Sequence, residues 1–162
     1  TSMTNSSEYD QLDDLDRMIL TELSLDGRMS LTALAKKLGI SKTPCSVRVG
    51  RLVSEGVIVG FRAVLDPEKI DQCHVAFVEI KLEDTSEAAL SAFEVAVGSV
   101  PELEQCHLIA GSFDYLLKVR TKDMQAYRQV LVESISELPH IAGISTYLSM
   151  ETVKEISLIP SL

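Results

Sequence analysis

The sequence predicts an α+β chain of two parts: an N-terminal three-helix helix-turn-helix unit, winged-helix-like, followed by a C-terminal ferredoxin-like βαββαβ unit. Three observations lead there. Leu31–Gly56 reads as two short amphipathic helices joined by a tight turn at Gly39. Positive charge gathers on that same stretch of an otherwise acidic chain. Beyond residue 72, period-2 and period-3.6 apolar patterns alternate in the order strand, helix, strand, strand, helix, strand.

Leu12, Leu15, Ile19 and Leu23 predict a first helix over about Asp13–Leu25, closed by Gly27. Ser30 stands where a side-chain oxygen can cap the free N–H groups of the next helix. Leu31, Leu34, Ala35 and Leu38 form one face of it, and Lys36 and Lys37 fall outside that face. Gly39 permits the left-handed backbone that ends it. Thr43-Pro44 is expected to start the third helix, threonine as cap and proline at the first helical position.

Along that third helix Cys45, Val49 and Leu52 share an inward face, and Thr43, Ser46, Val47, Gly50, Arg51 and Ser54 point the other way. A mostly small outward face suits close approach to the floor of a DNA major groove. Arg51 is the expected base reader, because a guanidinium can bond two acceptors on guanine. Ser41, Lys42, Thr43 and Arg48 are placed for phosphates, Lys36 flanks them, and Ser46 and Val47 complete the contact face.

Charge distinguishes this helix pair from any amphipathic hairpin. Residues 28–62 hold seven bases (Arg28, Lys36, Lys37, Lys42, Arg48, Arg51, Arg62) and one acid, Glu55, a net of +6. Residues 1–27 carry −6 and residues 66–162 carry −9, for −9 in all. A basic patch on an acidic carrier fits a double-stranded DNA surface and excludes a protein that coats nucleic acid uniformly.

No apolar run reaches the ~18 residues a membrane span needs, and residues 1–11 lack the apolar core of a secretion signal. Three cysteines without CxxC spacing suggest neither a disulfide framework nor a zinc site. A cytoplasmic protein is expected. There is no nucleophile elbow, phosphate loop or HExxH, and His74, His107 and His140 are dispersed, so no enzyme and no cofactor are expected.

After Gly56, VIVGFRAVLD is β-prone, a short wing or a strand leading out of the unit. Asp66-Pro67 marks a break. The expected organisation is residues 1–64 for DNA binding, 65–72 as linker and 73–162 for the ferredoxin-like unit. There the expected elements are strands at His74–Leu82, Leu103–Ala110, Phe113–Arg120 and Ile144–Val153, and helices at Ser86–Val97 and Asp123–Glu137. HVAFVEIKL carries apolar residues toward both sides, which predicts that a second subunit covers the helix-free face of the sheet.

These residues resemble the Lrp/AsnC family of transcription regulators. The likeness runs from about Leu12 to Lys154, through LDDLDRMIL, DGRMS, LAKKLGIS, TPC, RLVSEGVIVGF, FVEI, QCHLIAGSFDYLLKV, MQAYRQ and TYLSMETVKE in order. The resemblance implies dimers that join into octamers, and a small effector, usually an amino acid, bound near the contact between dimers. It includes leucine-responsive regulators and activators of proline catabolism, between which the sequence does not choose. It adds Met124, Tyr147, Leu148 and Ser149 to the effector region. From the residues themselves, Asp114 could accept from an ammonium, and the backbone of Gly111, Ser112 and Phe113 could donate to a carboxylate. The alternative for Asp114 is a turn-stabilising role. Two departures stand out: Gly50-Arg51 where the family commonly has two arginines, and Ser112 where it often has an acid. An amino-acid-sensing module that binds protein instead of DNA is the alternative function.

Overall fold

A computed structural model describes residues 12–155. The expectation about a secretion signal concerns residues 1–11 and lies outside them. Contacts divide the described chain into two compact units, one formed by residues 12–64 with 154–155, the other by Leu65–Val153.

The first unit holds α1 (Asp14–Leu25), α2 (Leu31–Leu38) and α3 (Lys42–Ser54). Asp13 and Asp16 form a reciprocal capping box at the start of α1. Ser30 caps α2 by accepting from the Ala33 N–H, and Gly39 ends it at φ 69°. The start of α3 differs from expectation. Ser41, not Thr43, is the flanking residue, and Pro44 sits in the first turn. Proline is tolerated there because the first four N–H groups of a helix have no intrahelical partner. Leu12, Ile19, Leu34, Ala35, Cys45 and Leu52 form the core, with Leu15, Leu23, Leu38, Val49 and Ile58 against it.

Residues 57–66 form no strand, so among the described residues there is no wing. The Ile58 end is tied to the helices, its N–H donating to Leu52 O, and Asp66 at the other end accepts from the Lys69 and Glu68 N–H groups. Val59, Phe61, Val64 and Leu65 stay exposed. A β-prone sequence becomes a strand only when another strand meets it.

The second unit is a four-stranded antiparallel sheet in the order β2-β3-β1-β4: β1 (His74–Leu82), β2 (Leu103–Leu108), β3 (Tyr115–Thr121) and β4 (Ile141–Leu148). With α4 (Glu87–Val97) and α5 (Met124–Val130) it makes the ferredoxin-like order. Ala76, Val78, Ile80 and Leu82 of β1 join Tyr115, Leu117 and Val119 of β3 in a core with Phe93 and Tyr127.

Five boundaries moved. β2 stops at Leu108, short of the expected Ala110, and β4 stops at Leu148, short of the expected Val153. β4 begins at Ile141, three residues early, directly after His140 turns the chain at φ 63°. β3 begins at Tyr115, two residues after the expected Phe113. The helix expected to Glu137 ends as a wide π turn over Leu131–Ile135, closed by Ser136 N–H to Leu131 O at 2.9 Å. The extra residue of that turn still leaves Ile135 and Leu138 buried.

Side-chain alternation sends Phe77, Glu79 and Lys81 to the helix-free face, opposite Tyr147, Ser145 and Gly143 of β4. This face is more polar than HVAFVEIKL suggests. Lys118 is buried there against Glu104 at 3.1 Å, and Arg120 also binds Glu104.

Candidate DNA-contact helix and effector region

The outward face of α3 is built as its spacing requires: Lys42, Thr43, Ser46, Val47 and Gly50 are exposed, and Ser41 precedes them. A Cβ at Gly50 would meet nothing within 4 Å. Lys36, in the last turn of α2, is also exposed. Among the described residues neither Lys36 nor Lys42 is in an ion pair, whereas Lys37 is paired with Glu22.

The two arginines are turned elsewhere. Asp16 of α1, 1% exposed, accepts from Arg48 Nη1 at 2.9 Å through Oδ1 and from Arg51 Nη2 at 2.6 Å through Oδ2. Arg48 Nη1 also donates to Asp13 Oδ2 at 2.5 Å, and Arg51 Nη1 to Glu55 Oε2 at 3.1 Å. Arg51, expected to point outward as a base reader, is therefore directed back to α1, and Arg48 with it. A helical wheel places Cα positions, but a guanidinium on three methylenes follows the nearest buried carboxylate. These bonds set the ionisation as well. The hydrogen bond that Arg48 donates to Asp13 raises its pKa further, and the one that Arg51 donates to Asp16 does the same for Arg51. The Asp16 N–H, then Arg48, holds the Asp13 carboxyl below its ordinary value.

Asp16 was missed from sequence, though a signal existed. It lies four residues after Leu12 and three before Ile19, on the apolar stripe of its helix. An acid on a buried stripe implies a cationic partner, and Arg48, three residues after inward Cys45, is on the matching face.

The expected effector residues do not meet. Gly111, Ser112 and Asp114 form the β2–β3 turn beyond the Ile80 end of β1. Asp114 is tied into it: its N–H donates to Ile80 O at 2.9 Å and its Oδ2 accepts from the Leu82 N–H at 2.7 Å. The turn-stabilising role weighed for Asp114 is therefore present. Leu148 pairs with Ala76, the Ser149 N–H donates to Val75 O, and Met124 follows the Thr121–Asp123 bend beside His74. That is the opposite end of the sheet, four to six residues along β1, or about 13–20 Å at the rise of a strand. Tyr147 lies between, on the helix-free face, with its hydroxyl 3.4 Å from Glu79 Oε2. A cleft of ≈ 320 Å³ beside α5, lined in part by Gln72, Arg120, Thr121 and Gln129, contains none of the expected residues.

No described helix is long and apolar enough to cross a membrane, and among the described residues no His, Cys, Asp and Glu group could hold a metal.

Known proteins match most of the chain. Residues 12–59 match the model of a winged helix-turn-helix DNA-binding domain, and residues 75–159 that of the Lrp/AsnC ligand binding domain. The chain is 56% identical over 153 residues to a proline dehydrogenase transcriptional activator of Rhizobium radiobacter, covering 94% of this chain and 98% of that one. It is 45% identical over 144 residues to the leucine-responsive regulatory protein of Escherichia coli, covering 89% and 88%. Among solved structures, an AsnC family regulator from Agrobacterium tumefaciens superposes with a TM-score of 0.86 at 34% identity, covering 92% of this chain and 97% of that one. A Neisseria meningitidis regulator solved with L-methionine superposes at 0.84 with 25% identity, covering 93% and 97%. A helix-turn-helix unit joined to a ligand-binding ferredoxin-like unit, with relatives that are regulators and not enzymes, makes this chain a member of the Lrp/AsnC family of DNA-binding transcription regulators.

Proposed function

We propose that this protein regulates transcription in the cytoplasm by laying α3 in the major groove and taking an amino acid in its sheet unit. In this reading residues 1–64 bind DNA, 65–72 link, and 73–162 bind the effector and assemble the protein. Lys42, Thr43, Ser46 and Val47 face the duplex, with Ser41 and Lys36 on the flanking phosphates. Arg48 and Arg51 belong to the same surface from behind. The observation that carries this is the exposed, small-residue face of α3 beside two lysines without ion pairs.

The effector reading rests on Gly111, Ser112, Asp114, Met124, Tyr147, Leu148 and Ser149. Their separation within one chain supports a composite site, in which the Gly111–Asp114 turn of one subunit meets the Leu148–Ser149 end of another. A ligand held by two subunits binds one assembly state better, which is what lets it shift that assembly. The L-methionine complex of the meningococcal relative supports an amino-acid ligand. Phe77 and Tyr147 on the helix-free face, and the exposed Val59, Phe61, Val64 and Leu65, support a homodimer, and the family likeness supports its growth to an octamer.

The test is a thermal-shift screen of the twenty amino acids, followed by salt-dependent retention on immobilised duplex with and without the hit. Binding of one amino acid and retention lost steeply with salt are expected. A chain that takes the ligand but holds no duplex at any salt would be a sensing module instead.

A further inference from the structure

We propose that Asp16 is a positioning residue for DNA recognition. Its buried carboxylate holds both arginines of the recognition helix on α1, so that α3 reads DNA with its small and hydroxyl side chains. This rests on the DNA-binding reading above.

α3 carries three cations, Lys42, Arg48 and Arg51. Three carboxylates, those of Asp13, Asp16 and Glu55, surround the two guanidiniums. Asp16 accepts from both at once, one oxygen each, and its Oδ2 accepts a third bond from the Asp13 N–H. A buried carboxylate with both oxygens engaged does not yield its partners readily, because losing them leaves an uncompensated charge in the core. A phosphate approaching α3 must compete with that carboxylate for either guanidinium. Lys42 has no such competitor among the described residues.

Two consequences follow. The first is geometric. Arg48 and Arg51 are one turn apart on α3, and one carboxylate gripping both sets the rotation of α3 against α1. A turn of one residue, ~100°, would replace the whole outward set of Thr43, Ser46, Val47 and Gly50. The second is electrostatic. Sequence-independent affinity scales with the number of phosphates neutralised. Arg48 and Arg51 keep 31% and 36% of their side-chain surface exposed, but pairing these two of three cations with carboxylates lowers that affinity and leaves discrimination to the base-facing residues. Asp16 thus favours specific over indiscriminate binding.

The experiment compares wild type, Asp16→Asn and Arg51→Gln on two probes: a random-sequence duplex, and a duplex enriched by this protein from a random pool. Binding is measured across a salt series, and folding is checked by circular dichroism. Asparagine keeps the shape but loses the charge. Asp16→Asn is expected to bind the random duplex more tightly, with the slope of log affinity against log salt steeper by about 1–2, and a preference for the enriched duplex lower by roughly tenfold. Arg51→Gln is expected to weaken the enriched duplex while leaving the salt slope unchanged. A folded Asp16→Asn with wild-type slope and preference overturns the proposal. So does an Arg51→Gln slope shallower by about 0.9, which would put that guanidinium on a phosphate. If Asp16→Asn does not fold, the Arg51→Gln slope decides alone. A wild-type chain that holds neither duplex overturns the DNA-binding reading and this inference with it.

Discussion

The carboxylate of Asp114 accepts the Leu82 N–H at 2.7 Å, which ties the β2–β3 turn to the end of β1. The residue expected to meet the ammonium of an effector is thus also a structural acceptor. Asp114→Ala leaves a partly buried N–H without its partner and should cost about 1–3 kcal/mol of stability. Asp114→Asn keeps an acceptor oxygen and removes only the charge. The asparagine variant should therefore keep the wild-type unfolding midpoint and weaken effector binding, read by calorimetry with the screened amino acid. Wild-type affinity in Asp114→Asn would leave Asp114 a turn residue alone.

Lys42 is the exposed cation at the start of α3. Lys42→Ala should weaken all duplexes alike and make the salt slope shallower by about 0.9. A selective loss on one sequence would instead make Lys42 a base reader.

Gly50 interrupts α3 on its outward face, with open space where a Cβ would go. Gly50→Ala should stabilise the helical unit by up to ~1 kcal/mol, because glycine loses the most backbone freedom in a helix. Gly50→Arg should also raise duplex affinity and steepen the salt slope by about 0.9, since it adds a cation to the exposed face of α3. Thermal unfolding and the salt series measure the two effects separately.

Phe77 and Tyr147 face each other across β1 and β4 on the helix-free side of the sheet. Phe77→Asp puts a charge in the proposed subunit contact without touching the core on the other face. Light scattering should show a smaller assembly with unchanged circular dichroism. An unaltered mass would move the interface elsewhere.

Burial raises the Glu104 pKa, but hydrogen bonds from Arg120 and Lys118 outweigh it and leave the group below its ordinary 4.5. A carboxylate depressed by folding contributes stability that is present above its unfolded value and lost as pH falls through its folded one. Acid titration followed by circular dichroism should show stability falling below pH 4.5, and the fall should be shallower in Glu104→Gln.

Sequence periodicity was enough for the helix-turn-helix, the βαββαβ order and the faces of α2, α4 and β3. Each depends on residues close along the chain, whose apolar spacing must match the period of the element. The caps at Ser30 and Gly39 are local for the same reason. What the chain alone left undecided involves distant partners. VIVGFRAVLD has strand propensity, but no described strand meets it. Asp114 and Leu82 are 32 residues apart, and their bond ties the β2–β3 turn to the end of β1. Arg51 lies on the outward arc of its helix by spacing, yet a buried acid 35 residues earlier takes its guanidinium. Spacing determines where a Cα sits; for a long charged side chain, only the folded neighbourhood decides where the charge goes.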